Sequence, residues 1–355
     1  MLSLTKAKEK ALKALSVRKL VERGWLTALL GYLIKREELS VRLKYIGDVK
    51  LGRMEFGGLA TSTYYAIKHA TKCWPKLPDE LARPASRFLK PQEAFSWLVT
   101  ALSLASYACR LQASGNRVSI DVSPKRVGLE VNGVSAAFNP SCVNIVSLIE
   151  IFAVGEYEVP EVLSGLRGRD VIDVGASVGD TALYFVINGA RKVIAVEPLP
   201  NVARCAEENV RLSGATDKVM VLNAALSSGP VSVPCDYDVS SSGAFSTLKG
   251  SGPCKVPGVT LGDLLNMIDD PYLLKMDCEG CEAEAVLGPE RERLRAFEHI
   301  VFETHPRTTG VSNDKLLASL KELGFECRLL WHDSKQRLST YHCKSSTSKR
   351  LSYHS

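Results

Sequence analysis

The period of the apolar positions changes twice along the chain. From residue 1 to about 115 it is helical: Leu2–Leu20 interleaves Lys and Arg with Ala and Leu, Val21–Ile34 is a more apolar helix, and Pro91–Leu111 is a third. Pro75, Pro78 and Pro84 mark a loop before the last of these. Tyr64, Tyr65, Trp74 and Trp97 read as packing aromatics. The period then falls to two over 117–123 and 126–132, with turns at Ser123-Pro124-Lys125 and Asn132-Gly133, which predicts a β-hairpin or small meander. A short helix over Ser147–Phe152 follows.

From Asp170 short apolar runs alternate with helical stretches, the pattern of a parallel sheet with helices on its faces. Val171, Ile172 and Val174 make a first buried strand; further strands are predicted at Lys192–Val196, Lys218–Asn223, Tyr272–Met276 and Ile300–Glu303. Helices are predicted after Thr181, over Asn201–Ser213, over Thr260–Met267 with Thr260 as cap, and over Cys281–Leu287 and Asn313–Leu323. Phe325–Trp331 and Arg337–Cys343 read as a closing antiparallel pair. Residues 228–258 are rich in Gly, Ser and Pro with a strand-like Pro230–Cys235, an insertion of the length often used for active-site lids. The resulting division is a mainly helical region 1–115, a hairpin or linker 116–160, an α/β domain 161–343 and a Ser/Lys-rich disordered tail 344–355.

The first α/β strand runs into Gly175-Ala176-Ser177-Val178-Gly179, where glycines allow a sharp turn and close approach of a ligand. Asp180 and Thr181 suit the start of the next helix, and the second strand ends in Glu197, a carboxylate placed for ribose hydroxyls. The dinucleotide pattern G-x-G-x-x-G is not met. Asp173, Gly175 and Gly179 instead form D-x-G-x-x-x-G, similar to the first motif of class I S-adenosylmethionine (SAM) methyltransferases.

Ligands of open α/β sheets bind at the carboxyl ends of the strands. Those ends carry Asp173 with Gly175, Glu197, Asn223, Asp277 with Glu279, and Glu303 with His305. The most specific stretch is Leu273–Glu282, in which Lys275, Asp277, Glu279, Gly280 and Glu282 match K-x-D-x-E-G-x-E. Together with the first motif, Glu197-Pro198, Val256–Leu261 and Phe302–His305, it resembles the FkbM family of SAM-dependent methyltransferases. The resemblance covers roughly 145–324 and leaves 1–115 outside.

The resemblance implies a Rossmann-like class I fold with a seven-stranded, mostly parallel sheet, and methyl transfer from SAM, most often to a hydroxyl oxygen of a sugar, glycolipid or other small molecule. Asp173, Gly175, Ala176, Ser177 and Gly179 would line the methionine and ribose side, Glu197-Pro198 would hold the ribose, and Asn223-Ala224 would face the adenine. Asp277 borders both cofactor and acceptor. Asp277, Glu279 and His305 are the candidates for removing the acceptor's proton, with His305 or Asp277 favoured, and Lys275 joins this catalytic set. Asp277 with Glu279 and Glu303 could instead hold a divalent cation; side-chain proton removal is the preferred reading, with no metal. Two lookalikes carry less. Cys278 and Cys281 have CxxC spacing but no second pair at zinc-ribbon distance, so both read as packing cysteines. Asp270-Pro271-Tyr272 resembles the D-P-P-Y motif of enzymes that methylate amino nitrogens of bases, but it precedes its strand and lacks the second proline.

Composition adds bounds. At 355 residues, 45% hydrophobic and 24% charged, the chain has room for a main domain plus an appended one. Ten scattered cysteines suggest reduced thiols, and no apolar run reads as a membrane span, so a cytoplasmic protein is expected. The net charge of +6 is concentrated in residues 1–50, which makes RNA an alternative acceptor through that segment. A non-catalytic scaffold would show a broken cofactor set, and this set is complete.

Overall fold

The computed structural model describes residues 2–44, 46–69, 73, 91–123, 125–239, 246–248, 251–333 and 337–346. The chain divides into two compact units: Met1–Gly155 with Glu208–Gly214 and Val239–Ser242, and Glu156–Glu207 with Ala215–Asp238 and Gly243–Ser355. The first unit thus takes in the 116–155 region.

The first unit holds helices α1 (Leu2–Ser16), α2 (Trp25–Leu33), α3 (Arg53–His69) and α4 (Pro91–Ala113). It is mainly helical, but it also contains an antiparallel sheet of β1 (Val21–Arg23), β2 (Glu38–Leu43) and β3 (Gly47–Gly52), which the helical reading of this region did not include. The expected helix over 21–34 is split by Gly24, whose φ of +82° ends β1 and starts α2. β2 alternates strictly: Leu39, Val41 and Leu43 are buried while Glu38, Ser40 and Arg42 face out. Helix α4 is long and apolar enough, by length and composition, to cross a membrane, yet most of it is buried inside the protein. Its Trp97 is buried and donates its indole N–H to the Ser123 carbonyl at 2.8 Å, a packing role as expected. Trp74 and the prolines at 75, 78 and 84 lie outside the described residues. Strands β4 (Val118–Ser123), β5 (Arg126–Val131) and β6 (Val134–Phe138) form the meander, with Asn132 and Gly133 both at positive φ in its second turn.

The second unit is built on a seven-stranded sheet. Its strands are β7 (Asp170–Val174), β8 (Lys192–Val196), β9 (Val219–Leu222), β14 (Pro271–Met276), β15 (His299–Thr304), β16 (Phe325–Asp333) and β17 (Leu338–Ser345). The order is β16-β17-β15-β14-β7-β8-β9, parallel except for β17, which pairs antiparallel with both β15 and β16. Four short strands complete the unit: β10 (Ala225–Leu226) pairs with β13 (Gly258–Val259), and β11 (Val231–Val233) with β12 (Cys254–Val256). Thr260 caps the helix Leu261–Leu265 in a reciprocal capping box with Asp263. All five residues of β7 are buried, as a strand covered on both faces requires. The topological switch point lies between β7 and β14, whose chains continue outward in opposite directions through the sheet. Two of the tail residues expected to be disordered, Lys344 and Ser345, belong to β17; residues 347–355 lie outside the described ones.

The cysteines differ from the reading as reduced thiols. Cys73–Cys109, Cys235–Cys254, Cys278–Cys281 and Cys327–Cys343 are disulfides, and none of the cysteines is free. Spacing alone gave no framework because three of these pairs depend on which strands or helices become neighbours. Cys327 and Cys343, for example, face each other in register across β16 and β17.

Candidate active site

The switch point brings the two signature loops together. Gly175, at φ +76°, follows β7, and a Cβ on it would lie 1.8 Å from the Asp277 carbonyl that follows β14. Only glycine permits that approach. Two non-glycine residues of these loops, Ser177 at φ +48° and Glu279 at φ +57°, adopt the left-handed conformation, which concentrates at functional sites. Gly280 follows at φ +131°, and a Cβ there would lie 2.6 Å from Leu248 Cδ1, so the 228–258 insertion reaches this loop.

Asp173 and Lys275 are partners in register on β7 and β14. The Lys275 ammonium lies 3.0 Å from Asp173 Oδ1 and donates to the Gly175 carbonyl at 2.9 Å, and Thr181 donates to Asp173 Oδ2 at 2.5 Å. Both side chains are buried. Burial alone would lower the Lys275 pKa; Asp173 and Asp277 outweigh it and hold the ammonium above its ordinary value. The pair therefore braces the glycine loop from beneath. Two residues of the sequence-derived site thus lie inside the protein: the Lys275 side chain is 2% exposed, and Asp173 has both carboxylate oxygens engaged by Lys275 and Thr181.

Glu197 ends β8 and is buried. Its Oε2 accepts from the Ser177 backbone N–H at 3.0 Å and its Oε1 from Leu199 N–H at 2.9 Å. Each carboxylate oxygen retains acceptor capacity. Burial pushes this carboxyl up to about 7 despite those bonds. The Asn223 amide N–H group, expected to face an adenine, donates to the carbonyls of Glu197 and Pro198 at 3.0 Å each and so fixes the tip of β8. Ala176 and Ala224 are buried beside these tips, while Ser177 and Pro198 are half-buried.

The ends of β14 and β15 carry the titratable cluster. His305 Nε2 lies 3.2 Å from Glu303 Oε2, 3.3 Å from Glu279 Oε1 and 3.9 Å from Asp277 Oδ1. Tyr157 donates its hydroxyl to Asp277 Oδ2 at 3.2 Å, and Glu156 accepts from the Thr340 hydroxyl at 3.0 Å. Burial first, then Asp277, pushes the Glu303 carboxyl up to about 8 and Glu156 up to about 7. Burial would lower the His305 imidazole, but Glu279, Glu282 and Glu303 outweigh it and raise its pKa. Accessibility ranks the members: the side chain of Asp277 is 33% exposed and that of Glu279 24%, against 13% for Glu303 and 2% for His305. An acceptor molecule can reach the first two; His305 lies behind them.

Glu156, Tyr157 and Glu282 were absent from the sequence-derived site. Glu282 stood in the matched motif, and its burial beside His305 follows from the turn at Gly280. Glu156 and Tyr157 lie ahead of the domain pattern and reach the cluster only through tertiary packing. Asp270, of the N-methylation lookalike, precedes β14 and pairs with Arg169 at the opposite end of that strand.

A nearly all-parallel sheet closed by an antiparallel β17, with a glycine loop after β7 and acidic tips on β8, β14 and β15, is the layout of the class I methyltransferase fold. Residues 173–327, nearly all of them in the second unit, match the methyltransferase FkbM domain. Similar solved structures include magnesium protoporphyrin IX methyltransferase (ChlM) from Synechocystis PCC 6803 with bound SAM, at 12% identity and TM-score 0.35, covering 56% of this chain and 83% of that one. M. capricolum TrmK in complex with S-adenosylhomocysteine matches at 11% identity and TM-score 0.32, covering 54% of this chain and 68% of that one. Methanocaldococcus jannaschii Trm5 in complex with adenosine matches at 12% identity and TM-score 0.33, over 62% of this chain and about half, 54%, of that one.

Proposed function

We propose that the protein transfers the methyl group of SAM to a hydroxyl oxygen of a glycan, glycolipid or other small molecule. The cofactor region suits SAM: a glycine cradle that a single Cβ would fill, and a buried carboxylate, Glu197, with acceptor capacity left for ribose hydroxyls. When bound, SAM supplies an electrophilic methyl carbon on a sulfonium. The loop Gly175–Gly179 would hold its amino-acid side, Glu197 with Pro198 its ribose, and Ala224 its adenine side, with Asn223 acting through the β8 tip.

The observation that carries the hydroxyl reading is the pair of half-buried carboxylates, Asp277 and Glu279, at the mouth of the cluster. An acceptor hydroxyl held beside the sulfonium methyl would take it, and the electron pair of the broken carbon–sulfur bond would stay on sulfur. The hydroxyl proton passes to Asp277 or Glu279, a role for which His305 is too deeply buried. Positioning by the braced loops supplies much of the rate.

The test is transfer of radiolabelled methyl from SAM to a panel of glycans, polyols and phenols. A base-stable labelled methyl ether is expected. Label recovered only as a base-labile methyl ester, or on a nitrogen, would contradict the hydroxyl reading.

A further inference from the structure

Glu282 is fully buried and its Oε1 accepts from the His305 backbone N–H at 2.9 Å, with His305 Nδ1 at 3.2 Å; the Gly280 N–H binds its Oε2 at 2.9 Å. Glu282 therefore fixes the imidazole ring and places the Nδ1 proton toward itself. Nε2 can then offer its lone pair to a cation that displaces the proton favoured by the surrounding carboxylates. This atom is buried, its side chain only 2% exposed, and it has no hydrogen-bond partner, although Glu303 and Glu279 oxygens lie within 3.3 Å. A cation bound here would take the place of that proton between the imidazole nitrogen and the carboxylate oxygens.

We propose that Asp277, Glu303 and His305 Nε2 form a binding site for a divalent cation of the Mg²⁺ or Mn²⁺ class. One donor atom from each of the three lies within 4.8 Å of the others. Octahedral donors about 2.1 Å from such a cation stand roughly 3 Å apart when adjacent and about 4.2 Å when opposed. The observed separations from Nε2, 3.2 Å to Glu303 and 3.9 Å to Asp277, fall in that range. A carboxylate that receives the far N–H of a metal-binding histidine is the usual second partner at such sites, and Glu282 occupies that position. Two carboxylates and one imidazole suit a hard cation with open positions for water or an acceptor oxygen. In that case the ion would make the acceptor hydroxyl more acidic, and Glu279, outside the donor set, would take the proton; this chemical role rests on the hydroxyl reading above, whereas the binding itself does not.

Titration of the chelator-treated full chain with Mn²⁺, followed by the electron paramagnetic resonance signal of the free ion, tests the site. One saturable Mn²⁺ per chain, displaced by Mg²⁺, is expected, with nitrogen modulation of the bound ion's spin echo reporting His305. Glu303→Gln and His305→Ala are expected to weaken binding at least tenfold while SAM still binds, which shows the variants are folded. Absence of saturable binding, or bound Mn²⁺ without nitrogen coupling in the wild-type protein, overturns the proposal. If the labelled methyl ether forms equally well in excess chelator, the cation has no catalytic role and the hydroxyl reading stands. If Mn²⁺ binds as stated but no hydroxyl is methylated, the site stands and the acceptor reading fails.

Discussion

The Lys275 ammonium and the Asp173 carboxylate sit 3.0 Å apart as neighbours in register on β14 and β7, with almost no solvent exposure on either. The pair lies under the glycine loop, because Lys275 also holds the Gly175 carbonyl. Breaking a buried pair by removing one partner strands the other charge, at a cost of roughly 3–5 kcal/mol. Lys275→Met is therefore expected to lower unfolding stability by that order and to weaken SAM binding through the loop. Denaturant unfolding monitored alongside SAM titration checks both. A variant with wild-type stability would contradict the bracing role.

Gly175→Ala should be worse for binding than for folding. Its Cβ would lie 1.8 Å from the Asp277 carbonyl, so the two loops at the switch point must separate. Positive φ adds strain of about 1–3 kcal/mol for a non-glycine residue. Loss of measurable SAM binding is expected in a protein that still unfolds cooperatively, with circular dichroism as the control. Retention of full affinity would show that this contact does not shape the cofactor region.

The Glu197 carboxyl is pushed by burial up to about 7, above its ordinary 4.5. A raised acid binds a proton in the folded state between those values while the unfolded chain does not. Its contribution thus favours folding at low pH and is lost as pH rises through about 7. Ribose hydroxyls donate to the ionised form, so SAM affinity is expected to rise with pH between about 6 and 8, and Glu197→Gln to flatten that rise. Calorimetry across this range provides the check; an affinity independent of pH would rule out Glu197 as the titrating ribose partner.

His299 Nδ1 and His342 Nε2 lie 2.9 Å apart on β15 and β17, and Arg328 donates to His342 Nδ1 at 3.3 Å. His342 thus donates through Nε2 to His299, with both rings neutral. Burial lowers both to about 4, with positive neighbours adding to the effect, from an ordinary 6.5. The unfolded chain gains protons first, so this contribution is full above pH 6.5 and disappears as pH falls toward 4. His342→Phe should reduce the loss of thermal stability on going from pH 7 to 5. An unchanged acid slope would show that the pair does not report on folding.

Much of the second unit was legible because its strands are buried on both faces and so read as contiguous apolar runs. Gly175, Glu197 and the 275–282 motif stood out because a turn or a strand tip needs their residue types. What pairs with what was not legible. Lys275 meets Asp173, and Glu156 comes near enough to raise the Glu303 carboxyl, only once the strand order reverses at the switch point and the chain before β7 packs back. Lys275 in the motif looked catalytic because spacing does not reveal depth. In the first unit, β2 carried a clear period of two that was absorbed into a helical region, and β1 is too short to show any period.

Titration calorimetry of the wild-type chain with SAM, with NAD as the comparison ligand, tests the central claim most directly. The geometry predicts one SAM per chain, a matching thermal shift, and no saturable heat with NAD. Absence of both heat and thermal shift with SAM would contradict the assignment of a working methyltransferase site.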